Sequence, residues 1–376
     1  MEHYLDNAAT TKVCDEAAQA ALAAMTENYG NPSSTHTKGR EANRLLEKAR
    51  KQVSAALGCT PGELIFTSCG SESDNWAIIN GAEAMRRRGK HIISSAVEHD
   101  AVRRSLDELE SRGFEVTRLA PDEKGGVSLD SVVSALRDDT ILVSLMLVNN
   151  ETGAVTDISS IARAVKKACP AVLVHTDAVQ GFMKVPFSAK TLGADMISIS
   201  GHKIHAPKGI GALYIKNGVK LKPFIVGGSQ ETGRRAGTEA MPQIAAFGAA
   251  CEIAQAGMAE NIARMQSLRE RAVQRLSREI PELVLIGGGS PHILSISLPG
   301  WRSEVLMNYL EAKEVYVSRS SACKKGGRSH VLEAMGLSSR VIDGAIRIGL
   351  SRFTTEEDID ALCSALKEAH DTLAHR

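Results

Sequence analysis

The sequence predicts an α/β fold: a large domain with a mainly parallel sheet over residues 1–250, then a smaller α+β domain over residues 251–376. Three observations carry that expectation. Short β-rich runs alternate with stretches of helical length through the first two thirds of the chain, the pattern of strands joined by crossover helices. Several runs are continuously apolar, as strands are when both faces of their sheet are covered. Near residue 250 the alternation gives way to another order of elements.

In chain order, residues 1–30 can pack with either domain. A helix is expected over 39–57, a strand at 63–68 (ELIFTS), a helix over 73–88 and a strand at 91–96 (HIISSA). Then come a helix over 101–112, a strand at 141–146 (ILVSLM) and a helix over 157–169. Strands at 172–176 (VLVHT), 196–200 (MISIS) and 211–215 (GALYI) complete the large sheet. Beyond residue 250, a long amphipathic helix at 259–279 leads to short strands at 283–286 and 293–298. A helix at 302–312 and a final one at 355–373 follow. The chain shows no internal repeat and no low-complexity linker.

A chain of 376 residues is long enough to bury a substantial core. Its 43% hydrophobic and 24% charged residues are ordinary for a globular protein. A net charge of +1 gives no bulk attraction to nucleic acid or to an anionic membrane, so neither is expected as a partner. No apolar run reaches the length of a membrane span, and the opening MEHYLDNAATT lacks a basic-then-apolar signal pattern. A reducing, cytoplasmic compartment is the expectation. The seven cysteines are scattered, odd in number and never spaced C-x-x-C. Neither a disulfide framework nor a metal site is therefore expected. A cysteine that matters here will matter through its reactivity.

Four clusters carry chemistry. At 67–74 the run TSCGSESD closes a strand and opens a helix. Free N–H groups and the positive end of a helix dipole there suit a phosphate, although a plain N-cap by Ser71 explains the run as well. At 198–209 the run SISGHKIHAPKG places Lys203 after a strand among small residues. A lysine held there can act as a nucleophile toward a carbonyl; a solvated loop lysine is the ordinary alternative. At 175–180, HTDAVQ ends an apolar strand with Asp177, a carboxylate able to pair with a protonated ring nitrogen or to cap a helix. The neighbouring NNETG at 149–153 also follows a strand and reads equally as a turn. At 318–328, SRSSACKKGGR surrounds Cys323 with Lys324, Lys325 and Arg328, which favour the thiolate.

Together these pieces resemble the cysteine desulfurases, class-V members of the aspartate-aminotransferase-like (fold type I) pyridoxal-phosphate enzymes, in the nitrogenase and iron–sulfur branch. The resemblance spans nearly the whole chain. It rests on YLDNAATT at 4–11, GNPSSTHTKG at 30–39, FTSCGSESDN at 66–75, Glu98 and His99, VNNETG at 148–153, and 177–180. It continues through 200–203 with PKGIG at 207–211, RAGT at 235–238, 320–323 and RIGLSRFT at 347–354.

The resemblance implies a cofactor, pyridoxal 5'-phosphate, carried by Lys203. It implies that Gly70, Ser71, Ser200 and His202 hold the phosphate, joined by Thr238 from the neighbouring subunit of a homodimer. Asp177 would pair with the ring nitrogen, Gln180 and Asn150 would face the ring-oxygen side, and His99 would stack on the ring and assist proton transfer. Arg347, with Asn150, would bind the substrate carboxylate. Cys323 would take the sulfur of L-cysteine and pass it to an acceptor protein, such as an iron–sulfur scaffold or a thiolation enzyme. The sequence departs from the family at Cys69-Gly70-Ser71, where Gly-Ala-Thr is usual, and in a segment after Cys323 about two residues short. The other readings are a selenocysteine lyase or another pyridoxal-phosphate lyase or aminotransferase, and a non-catalytic protein that kept the fold.

Overall fold

The computed structural model describes residues 2–319 and 328–373. The first strands are β1 (His3–Tyr4), β2 (Leu64–Thr67), β3 (His91–Ser95), β4 (Glu115–Leu119), β5 (Thr140–Ser144), β6 (Leu173–Asp177), β7 (Met196–Ser200) and β8 (Gly211–Ile215). Later come β9 (Val284–Ile286), β10 (Ile293–Ser297), β11 (Val315–Tyr316), β12 (Ser318–Arg319) and β13 (Ala345–Gly349).

Strands β2 to β8 form one seven-stranded sheet in the order β2-β8-β7-β6-β5-β3-β4. Only β8 runs against the others. Alternate residues of each strand enter two separate apolar layers. Ile93, Val143, Val174 and Ile197 join one layer, and Ile92, Leu142, Leu173 and Met196 join the other. A strand buried on both faces has no polar face to show, hence the continuous apolar runs in the sequence.

A second sheet, β12-β13-β10-β9, is antiparallel. Its core joins Leu294, Ile296, Ile346 and Ile348 to Leu276, Leu306, Leu362 and Leu366 of the helices Met258–Glu279, Ser303–Ala312 and Glu356–Thr372. Residues 3–17 touch both bodies. β1 pairs with β11, Asp6 bridges to Gly349, and Leu5 enters the second core, whereas Ala8, Cys14 and Ala17 enter the first. The helix Asp15–Thr26 then packs on the helix Met241–Ala256.

Several elements differ from the expectation. β4, with sequence EVTRL, is an edge strand whose charges keep it from reading as an apolar run. The helix Met241–Ala256 buries Met241, Ile244, Ala245, Ala246 and Phe247 in near succession, so no amphipathic stripe marks it. The helix expected over 73–88 begins at Gly70 and contains a wide turn, Trp76–Asn80, with π geometry. β13 and the helix Asp15–Thr26 are further additions to the sequence reading.

Candidate active site

In a parallel sheet the crevice beyond the carboxyl ends of the strands is where side chains from separate segments can converge on a ligand. Here a cavity of about 270 Å³ opens at that place. Asp177 is the last residue of β6 and Ser200 the last of β7, with Lys203 in the short turn that follows. Gly70 and Ser71 begin the helix after β2, and His99 precedes the helix Asp100–Ser111. Asn150 lies in the loop after β5, and Arg347 reaches in from β13. Gln180 and His202 complete the set, so the cavity gathers ten expected residues at its wall: Gly70, Ser71, His99, Asn150, Asp177, Gln180, Ser200, His202, Lys203 and Arg347; Cys323 lies outside the described residues. Thr238 is exposed and is not part of the wall of its own chain's cavity.

Lys203 is held by the N-terminal segment. Its Nζ donates to Ala8 O at 2.7 Å and to Ala9 O at 2.8 Å. Gln180 Nε2 donates to the same Ala8 O at 2.8 Å. The resemblance marked 4–11 as matching without giving these carbonyls a task; no side-chain chemistry there could have signalled it.

Asp177 is buried, and its carboxylate accepts from Val179 N–H at 2.9 Å. It therefore fastens its own turn and caps no helix. A second carboxyl, Asp74, is buried nearby, and ligating atoms of Asp74, His99 and Asp177 all lie within 4.8 Å of one another. Burial, and then the charge of Asp177, pushes Asp74 well above the usual carboxylate range. Burial raises Asp177 too, but His99, the Val179 N–H and Lys203 oppose it. Two adjacent buried carboxyls do not both ionise readily; the partners assign the charge to Asp177 and the proton to Asp74. Behind them His175 is fully buried between Ser144 Oγ at 2.9 Å and Ser198 Oγ at 3.0 Å, and burial lowers it to about 3. It is a neutral brace. Nothing in the local sequence shows that Asp74 faces Asp177.

His99 Nδ1 accepts from Ala101 N–H at 3.1 Å and so caps the helix Asp100–Ser111. That bond leaves Nε2 to carry the proton of the neutral ring. His202 Nδ1 lies 3.2 Å from Thr10 Oγ1, and burial, followed by Lys203 and Lys184, lowers it to about 4. His202 is neutral near pH 7.

At the helix start, Ser71 is exposed and does not cap. The N-cap is Cys69, whose side chain makes no capping bond, while Glu72 accepts from Ser68 N–H at 2.7 Å. The alternative cap by Ser71 is absent because the helix begins at Gly70, two residues earlier than that cap would place it. Gly70 leaves a cradle: a Cβ there would stand 2.7 Å from Val179 Cγ2. Ser200 Oγ and Gln180 Oε1 are buried without a hydrogen-bond partner among the described residues. A small backbone cradle, unpaired polar atoms, one ionised carboxyl and a lysine amine fit a phosphorylated pyridine aldehyde.

Arg347 is buried at the opposite wall. Its guanidinium donates to Asn150 O at 2.8 Å, Ser318 Oγ at 2.8 Å and Asp6 Oδ1 at 3.1 Å. A planar fork so fixed is ready to meet a carboxylate. On the far side of residues 320–327, Arg328 pairs with Asp343 at 2.9 Å and Ser329 bonds Glu151. Burial pushes Glu151 up to about 7.

The family model for aminotransferase class-V matches residues 3–362. A cysteine desulfurase IscS of Methanosarcina thermophila is 43% identical over 370 residues, covering 97% of this chain and 91% of its own. Cysteine desulfurase 2 of Trichormus variabilis is 44% identical over 362 residues, with 95% and 90% covered. Among solved structures, a NifS-like protein matches with a TM-score of 0.94 at 39% identity, over 99% of this chain and all of that one. Sequence, fold and cavity agree, and the chain belongs to the cysteine desulfurases, a pyridoxal-phosphate-dependent branch of the class-V aminotransferase family.

Proposed function

We propose that this cavity converts L-cysteine to L-alanine and leaves the sulfur as a persulfide on Cys323. The observation that carries the residue roles is the convergence of Lys203, Asp177 and Arg347, from three separate segments, on one cavity. Lys203 holds the cofactor; Gly70, Ser71, Ser200 and His202 take its phosphate, and Gln180 and Asn150 face its oxygen side. Pyridoxal phosphate supplies there a protonated ring that withdraws electrons from the substrate α-carbon. Asp177 keeps its negative charge beside that ring nitrogen because Asp74 keeps the proton. Arg347 orients the substrate carboxylate. The amine of Lys203 moves the α-proton, with His99 over the ring and its Nε2–H available to assist. The Cys323 thiolate attacks the substrate sulfur, so the S–S bond forms as the C–S bond breaks.

Lys203→Ala should lose both the absorbance of the lysine-bound cofactor and alanine release, while Lys208→Ala, at an exposed position, keeps both. Retention of both by Lys203→Ala overturns the assignment. Cys323→Ser should keep the absorbance and form no persulfide; a label found instead on Cys69 would move the sulfur site.

The working unit is a homodimer in which Thr238 completes the phosphate site of the partner. Its exposure supports this, as does the exposed apolar pair Ile225 and Val226, whose segment bridges to Arg235. Sedimentation should give a dimer, and an active cofactor-replete monomer refutes it. The sulfur then goes to an acceptor protein, an iron–sulfur scaffold or thiolation enzyme, in the cytoplasm. The described cysteines, all free thiols, fit a reducing compartment.

A further inference from the structure

A second cavity, of about 30 Å³, shares Lys203 with the active-site cavity. It has room for about one water. Lys184 lines it too, from the turn that follows β6. This lysine is 4% exposed, and its Nζ has no hydrogen-bond partner among the described residues.

Among the described residues, no carboxylate lines the smaller cavity. The charges that act on Lys184 are those of Lys203 and Arg347, both positive. Arg352 adds another cation at the cavity wall. His202, His205 and His292 complete the titratable surroundings, and each is lowered by burial and by Lys184 among its neighbours. Asp177 reaches Lys203 from the other cavity. Burial, then Lys203 and Arg347, brings the Lys184 amine down to about 7.

A buried amine without a partner costs stability that an unbranched apolar side chain of similar length would avoid. Its place beside the cofactor lysine gives that cost a use. We infer that Lys184 is a positioning residue for Lys203, setting the charge balance at the cofactor-bearing nitrogen through the cavity the two amines share. This rests on the assignment of Lys203 made above. A substrate carboxylate arriving at Arg347 offsets part of the positive field, which favours a proton on Lys184. That added charge in turn disfavours a proton on Lys203. The proton that leaves Lys203 thus has an acceptor in the same cavity, and the two amines exchange it with no change in total charge.

The test is a pH titration of the cofactor absorbance in the holoenzyme, with thermal melting alongside. The wild-type curve should be broader than a one-proton titration, because two sites interact. Lys184→Met should give a one-proton curve with its midpoint raised by about half a pH unit or more, since a nearby cation has gone. Lys184→Arg, which keeps a permanent charge, should lower the midpoint. Lys184→Met should melt no lower than wild type and lose kcat with little change in KM. If the Met variant fails to fold, Lys184→Gln carries the same expectation for the midpoint. A midpoint and slope equal to wild type in the neutral and Arg variants, with or without a lower melting temperature, overturn the proposal. Lys203→Ala separates the two readings. Absorbance lost there with an unmoved Lys184→Met midpoint sinks this inference alone, whereas absorbance retained there sinks the cofactor assignment and this inference with it.

Discussion

Glu98 stands one residue before His99 and is fully buried; its Oε1 accepts from Ser95 Oγ at 2.5 Å and from Met146 N–H at 3.2 Å. Burial pushes its carboxyl up to about 8. The folded protein therefore keeps a proton that the unfolded chain releases near pH 4.5. The stability from that proton is full below pH 4.5, fades as pH rises, and is gone above about 8. Glu98→Gln, which cannot ionise, should melt closest to wild type near pH 5, gain on it steadily up to pH 8, and then hold its lead. A gap that stays constant from pH 5 to 9 would place the proton elsewhere. At the opposite wall, Arg347→Ala should keep the cofactor absorbance but raise KM for cysteine about tenfold or more, the effect of losing a charge-assisted pair. An unchanged KM would remove Arg347 from the substrate site. Residues such as Asp177 and Lys203 were legible because each follows an apolar strand. Glu98 and Asp74 were not, because nothing in a local sequence shows that a carboxyl will be buried against another.

At the scale of elements, the contact between β13 and the N-terminal segment is the most sharply constrained. A Cβ on Gly349 would stand 2.5 Å from Ala8 N and 3.0 Å from Asn7 N, both backbone atoms that cannot swing aside. Gly349→Ala must push away the segment that holds Lys203 through Ala8 O and Ala9 O. The expected result is a loss of about 1 to 3 kcal/mol in stability together with faster loss of cofactor on dialysis. Gly336, with φ at +71° and nothing within 4 Å of a Cβ, is the control: alanine there strains only its own backbone and should leave cofactor retention unchanged. The central strands could be read in advance because both their faces are apolar. β13, the key partner here, was missed because AIRIG interrupts its apolar run with Arg347, the residue that reaches into the cavity.

Across the whole molecule, the sequence showed the alternation that makes the large sheet, and the matching stretches of the family pointed to Arg347, which lies at the cavity wall, and to Cys323, which lies outside the described residues. It did not show that residues 3–17 join both cores, since a segment of mixed character carries no periodic signal. Nor could composition alone separate Thr238, exposed outside its own cavity, from the residues that line it. A residue that would serve a partner's site leaves no mark in local patterning.

Gly349 N–H donates to Leu5 O, and Gly349 O accepts from Asn7. These bonds join positions separated by most of the chain, with a consequence for biosynthesis. Residues 5–9 leave the ribosome long before β13 exists, and at about 5 to 20 residues per second they wait roughly 20 to 70 seconds for it. Until then the carbonyls of Ala8 and Ala9 have no fixed place from which to hold Lys203. A nascent chain should accordingly fold its central sheet early yet fail to retain the cofactor, acquiring it only as synthesis nears its end. Ribosome-bound chains stalled before and after β13 emerges, probed for cofactor retention, would show the step.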